Sequence, residues 1–208
     1  LVGNSEVMLN RANAENRDIA GKIHRLSLRL AREVQMQKHL TEMADADFQL
    51  MVQPITVGRM FQELEAAFSS HPVASGRSLH FAHRHEEQSF QSDFFLVVRV
   101  LTNMISNALE ATDEGGSVQV WAEPGEAQLT FCVWNHQAIA DDVVSRLFQR
   151  NISTKAKSGR GLGTYSMKLF GETYLNGQVD FNTSETEGTI FRLSLPRQPL
   201  NASPSASE

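Results

Sequence analysis

With 208 residues, 41% of them hydrophobic and 21% charged, the chain can bury one mid-sized core plus an extension. A net charge of −5 argues against a nucleic-acid binder, and the single cysteine, Cys132, excludes a disulfide framework or a cysteine-rich zinc site within one chain. No uninterrupted apolar run approaches the roughly 18 residues of a membrane span, and no cationic leader with an apolar core is present.

Residues 1–50 are predicted to be helical, with a polar break at Arg11 to Arg17 and Asp18 as the cap of a long second helix. Ile19, Ile23, Leu26, Leu30 and Val34 recur every three or four residues, an apolar stripe that a helical hairpin must pair to bury. Residues 51–57, with Pro54, read as a linker and a first strand. A helix is predicted over 58–68 with Met60, Phe61, Leu64 and Phe68 on one side, then a strand over 77–84.

Helix 93–112, capped by Ser92 or Asp93, holds Asn103 and Asn107 one turn apart on one face of an apolar run. Such amides are either satisfied core groups or ligands. Gly115-Gly116 turns into strand 117–123, and a half-buried strand over 128–134 carries Cys132 as a small core residue and ends at Asn135. From Val143 to Gly171 no acidic residue occurs, while Arg146, Arg150, Lys155, Lys157, Arg160 and Lys168 are basic. Singly these are a solvated surface; as a set beside the turn Gly159-x-Gly161-Leu162-Gly163 they suit a polyanion such as a triphosphate. A helix over 164–174, a strand after Asn176-Gly177 and a strand over 187–196 follow. Residues 197–208, rich in Ser, Pro and Ala, read as a disordered tail.

Asn103-x-x-x-Asn107, followed some fifty residues later by the glycine turn, resembles the N box and G2 box of the histidine-kinase catalytic domain, part of the wider gyrase/Hsp90/kinase/MutL ATPase superfamily. Leu147-Phe148-Gln-Arg150 resembles the F box, Ser153-Thr154-Lys155 the start of the ATP lid, and Gly188-Thr189-Ile-Phe191 the closing strand. The resemblance implies a two-layer α/β sandwich of the Bergerat type over residues 58–196, preceded by a dimerisation and phosphotransfer hairpin. The cofactors it implies are ATP and Mg²⁺. The implied partners are a response-regulator receiver domain and a second copy joined through the hairpin, in a cytoplasmic protein whose membrane contact would lie only in upstream segments.

The resemblance places the magnesium ligand at Asn107, whose neutral carbonyl oxygen suits a hard cation that shares its shell with phosphate and water. At Asn103 the hydrolytic relatives carry a glutamate that activates water; an amide has no useful basicity, which favours transfer to another acceptor over hydrolysis. Asn135 stands where the family has an adenine-reading aspartate, and its oxygen can still accept from the adenine amino group. The segment Asn135–Ile139 departs from the family pattern, for His136-Gln137-Ala138 supplies none of the glycines that allow close approach to the base. Gly161, Leu162 and Gly163 offer backbone N–H groups, and Thr154, Lys155 and Arg160 offer side chains, to the phosphates. Thr189 matches a position near the base and also suits a plain strand residue. Glu110 occupies a place where many kinases have a basic phosphate contact.

None of the seven histidines has the family's phosphoacceptor context, a histidine before an acidic residue on the first hairpin helix. The acceptor is expected upstream of Leu1, with His24 as the alternative. The competing functions are a degenerate kinase acting as a dimeric scaffold, motivated by the altered segment after Asn135, and an ATP-hydrolysing relative of the gyrase or MutL type.

Overall fold

The computed structural model describes residues 50–148 and 163–198. The hairpin expected over 1–50, His24, Thr154, Lys155, Arg160, Gly161, Leu162 and the tail beyond Gln198 lie outside the described residues.

In chain order the elements are β1 (Val52–Thr56), α1 (Val57–Phe68), a single 3₁₀ turn (Pro72–Ala74), β2 (Ser78–Phe81), β3 (Ser89–Asp93), α2 (Phe94–Ala111), β4 (Ser117–Pro124) and β5 (Gln128–Asn135). There follow α3 (Asp141–Val144), α4 (Gly163–Lys168), a widened helical turn (Leu169–Tyr174), β6 (Gln178–Ser184) and β7 (Gly188–Pro196). Five strands form one mixed sheet in the order β2-β4-β5-β7-β6; β1 and β3 make a separate antiparallel pair. Only β2 with β4 is parallel within the large sheet.

Alternation along the strands decides which face meets the helices. Val118, Val120 and Ala122 of β4, Leu129, Phe131 and Val133 of β5, and Phe191, Leu193 and Leu195 of β7 are all buried. Against them pack Met60, Phe61 and Leu64 of α1, Val97, Val100, Leu101, Met104, Ile105 and Leu109 of α2, and Met167 and Phe170 at the end of the chain's last helical segment. Phe131 is a hub: its ring lies 6.4 Å from Phe61 and 5.5 Å from Phe90, so α1, β3 and β5 meet there. This is the two-layer sandwich expected. By length and composition α2 could cross a membrane, yet it is the core helix of the sandwich, with nine side chains buried against its neighbours.

Three expectations need correcting. Ser89–Asp93 form a strand that no periodicity announced, because its burial comes from pairing with β1 and from Phe90 packing on Phe131. The strand expected over 77–84 is only Ser78–Phe81, since after the Ala82 N–H bonds the Val120 carbonyl the chain turns away through His85, which has a positive φ of 64°. The helix expected over 164–174 keeps α geometry only to Lys168; from Leu169 its turns widen, and the Leu175 N–H reaches the Phe170 carbonyl at 2.9 Å. Gly171 sits in that wide turn, where a Cβ would come within 2.4 Å of Val179. The absent side chain lets the segment lie directly on β6.

Cys132 is fully buried, and burial pushes its thiol up to about 12. It is a packing residue, since a reactive cysteine needs an accessible thiolate.

Candidate nucleotide site

α2 fixes the first part of the site. The buried Asp93 caps it: one carboxylate oxygen accepts the Leu96 N–H at 3.1 Å and the other accepts the Met51 N–H at 3.0 Å. At its other end the Thr112 hydroxyl donates to the Ala108 carbonyl at 2.7 Å, and Arg77 Nε donates to the Thr112 carbonyl at 2.6 Å. Between these anchors Asn103 and Asn107 lie partly exposed on one face.

α4 meets that face. Asn103 Nδ2 donates to Ser166 Oγ at 3.0 Å, and the Ser166 hydroxyl donates to the Gly163 carbonyl at 2.8 Å. A Cβ on Gly163 would lie 3.8 Å from Asn107 Oδ1, so the last glycine of the turn sits beside that carboxamide. Asn107 and Gly163, far apart in sequence, are thus adjacent in space.

Asn135, only 2% exposed, ends β5 in register with Val118 on one side and Thr189 on the other. Its Nδ2 donates to the main-chain carbonyl of Gln137 at 3.3 Å and to Gln137 Oε1 at 3.4 Å. The segment after it is held by hydroxyls. Thr189 Oγ1 donates to the Gln137 carbonyl at 2.8 Å and lies 2.8 Å from Thr183 Oγ1, which accepts the Ile139 N–H at 2.8 Å. Two threonines thus hold the backbone of this glycine-free segment by hydrogen bonds. Gly188 brings β7 in close: its φ is +77°, and a Cβ there would stand 2.3 Å from the Asn135 carbonyl oxygen.

Of the basic set, Arg146 and Lys168 are described, and both are engaged locally. Arg146 donates to the Asp142 carbonyl at 2.8 Å and lies 3.7 Å from its carboxylate. Lys168 Nζ sits 5.2 Å from the Phe148 ring centre and 3.9 Å from Glu172. Phe148 in turn packs edge-on to Phe181 at 5.6 Å, which ties the residue of the F-box resemblance to β6. Glu110 is exposed at the end of α2. A separate open cavity of about 650 Å³, lined by Glu126, Asn176, Gly177, Gln178 and Arg197 among others, includes none of these residues.

Sequence reasoning did not find Ser166, Thr183, Gln137 or Asp113 as site residues. Each is a common polar type: Ser166 and Thr183 find partners on other elements, and Gln137, beside Asn135 in the chain, also donates to Asp113 at 3.2 Å.

Residues 92–199 match the family described as Histidine kinase-, DNA gyrase B-, and HSP90-like ATPase. The chain is 30% identical over 164 residues to sensor protein VanSB of Enterococcus faecalis, an alignment covering 76% of this chain and 36% of that protein. It is similar in fold to the nucleotide-free catalytic domain of histidine kinase ThkA, with a TM-score of 0.64 at 22% identity, covering 72% of this chain and 98% of that one. It also resembles ThkA in complex with response regulator protein TrrA, with a TM-score of 0.69 at 19% identity over 94% of this chain and 56% of that one. The chain spans about a third of the length of its relative VanSB. With this sheet order and Gly163 beside the paired carboxamides of α2, this chain belongs to the Histidine kinase-, DNA gyrase B-, and HSP90-like ATPase family.

Proposed function

We propose that the described domain binds ATP with Mg²⁺ and that the intact protein is a sensor histidine kinase, passing a phosphoryl group from ATP through a histidine to a response-regulator aspartate. The observation that carries this reading is the adjacency of Asn107 Oδ1 and Gly163 on neighbouring helices. It sets a hard oxygen donor beside backbone that can turn its N–H groups to phosphates. Asn107 fits Mg²⁺ on donor chemistry, a neutral carboxamide oxygen on a partly exposed helix face. When bound, the cation would neutralise phosphate charge. The chain's own groups would then position the nucleotide: Asn135 and Thr189 at the base, and Gly161, Leu162, Gly163, Thr154, Lys155 and Arg160 along the phosphates. Ile139 would pack near the base.

Asn103 supports transfer over hydrolysis. Its amide is no base, and its NH₂ is already committed to Ser166. Catalysis would then rest on positioning and charge neutralisation. The receiver-domain partner has support in the similarity to a kinase seen bound to its response regulator. Pairing of two copies through residues 1–50, on the cytoplasmic side of a membrane, belongs to the same proposal.

Titration with a fluorescent ATP analogue, with and without Mg²⁺, tests it. Binding is expected in the micromolar to millimolar range, about −8 to −4 kcal/mol. Asn107→Ala should remove most of the magnesium-dependent part. No saturable binding at millimolar nucleotide would favour the scaffold reading, which the glycine-free segment after Asn135 motivates.

A further inference from the structure

An aspartate reading adenine can only accept hydrogen bonds, so it distinguishes an amino group from a carbonyl without help. An asparagine is different. Its carboxamide has an accepting end and a donating end, and the two exchange by a half-turn about χ2. With Oδ1 facing the base it accepts from the adenine amino group. Turned over, its NH₂ would donate to the guanine carbonyl instead. Replacing the aspartate by Asn135 therefore makes base choice depend on whatever holds the amide in one sense.

The structure shows what holds it. Both hydrogen bonds of the Asn135 side chain use Nδ2, and both go to acceptors of one residue: the Gln137 carbonyl at 3.3 Å and Gln137 Oε1 at 3.4 Å. The Gln137 amide is itself ambiguous, but its far end meets a group that is not. Gln137 Nε2 donates to Asp113 Oδ2 at 3.2 Å, and a carboxylate only accepts. Asp113 thus turns the Gln137 NH₂ toward itself, which turns Oε1 toward Asn135, which leaves Asn135 Oδ1 as the free end. The Gln137 carbonyl is fixed from the other side by Thr189 Oγ1 at 2.8 Å. With Asn135 only 2% exposed, solvent offers little competition for the amide.

We propose that Gln137 is a specificity-determining positioning residue: with Asp113 behind it, it holds the Asn135 carboxamide in the orientation that accepts from adenine and opposes guanine. The inference rests on the nucleotide reading above.

The experiment is competition of Mg-ATP and Mg-GTP against a fluorescent ATP analogue for the full chain and four variants. In the otherwise unaltered chain, Gln137→Ala removes the Oε1 acceptor and leaves the main-chain carbonyl, so it should lower the ATP-over-GTP preference about two- to threefold, chiefly by improving GTP. Gln137→Glu sets a second carboxylate against Asp113 Oδ2 in place of the donor, so it should lower the preference as well. In the Asn135→Asp background the acceptor end is fixed by chemistry, so adding Gln137→Ala should leave the preference unchanged. Gln137 is partly exposed and all variants should fold, which thermal unfolding of each will show. The inference is overturned if Gln137→Ala weakens both nucleotides equally, or if it shifts the preference as much in the Asn135→Asp background as without it. A chain that binds neither nucleotide would remove the nucleotide reading itself, and this inference with it.

Discussion

Asn103 on α2 and Ser166 on α4 stand 63 positions apart in sequence and share a hydrogen bond of 3.0 Å. The hydroxyl in turn donates to the Gly163 carbonyl, so one buried serine ties the amide helix to Gly163.

Ser166→Ala should therefore destabilise the domain by about 1–2 kcal/mol, since it removes one bond outright and leaves the Asn103 amide short of a partner. Urea denaturation of Ser166→Ala, Asn103→Ala and the double variant gives the coupling, expected at about 0.5–1.5 kcal/mol. Additive single effects would show that the bond contributes nothing. Amide hydrogen exchange should rise in α4 before it rises in β5.

Gly188→Ala should cost more than Gly115→Ala, although both glycines have positive φ, +77° and +82°. The backbone strain is shared, about 1–2 kcal/mol for an alanine in the left-handed region. Only at Gly188 does the new Cβ also strike backbone, the Asn135 carbonyl oxygen at 2.3 Å; at Gly115 nothing lies within 4 Å. Thermal unfolding followed by circular dichroism compares them. Equal losses would mean that β7 can retreat from β5 without cost. A larger loss at Gly188 should come with weakened nucleotide binding, because the retreat would carry Thr189 away from Gln137.

His83 should make stability pH-dependent. Its ring nitrogens contact Glu86 at 2.6 Å and Glu65 at 3.1 Å, bridging the loop after β2 to α1. The hydrogen bond to Glu86, opposed in part by burial and aided by the charge of Glu65, raises its pKa above the ordinary 6.5. A group raised in the folded state stabilises fully below its unfolded value and loses that contribution as pH climbs through the folded one. The stability advantage of the parent chain over His83→Gln should thus be largest below pH 6.5 and shrink above it. All three groups are roughly half exposed, so the effect is small and should fade further in high salt. Denaturation midpoints of both proteins at about pH 5.5 and about pH 9, on either side of the window, check the sign. A growing advantage with pH would overturn it.

Much of the fold was legible because its elements carry their own periodicity. The α2 stripe and the Asp93 cap are local patterns, and burial follows from them wherever the helix is placed; the alternation of β5 promised a half-buried strand, yet Leu129, Thr130, Phe131, Cys132 and Val133 are all buried. β3 was not legible, because Ser89–Asp93 alternates only weakly and becomes a strand by pairing with β1. Nor was the widening after Lys168, which is set by Gly171 meeting Val179 on another element.

The site divides the same way. Asn103, Asn107, the glycine turn, Asn135 and Thr189 stood out in the sequence as residue types at set spacings, which a chain carries in its own order. What the sequence could not state was which polar groups would be partners. Ser166 meets Asn103 only because α4 packs on α2; Thr183 reaches Ile139 only because β6 and β7 pair in the register Thr183↔Thr189; Gln137 finds Asp113 across two loops. Sequence determines which hydrogen-bonding groups exist and on which face of an element they lie. Tertiary packing decides which donor meets which acceptor when the two lie far apart in the chain, as Gln137 and Asp113 do.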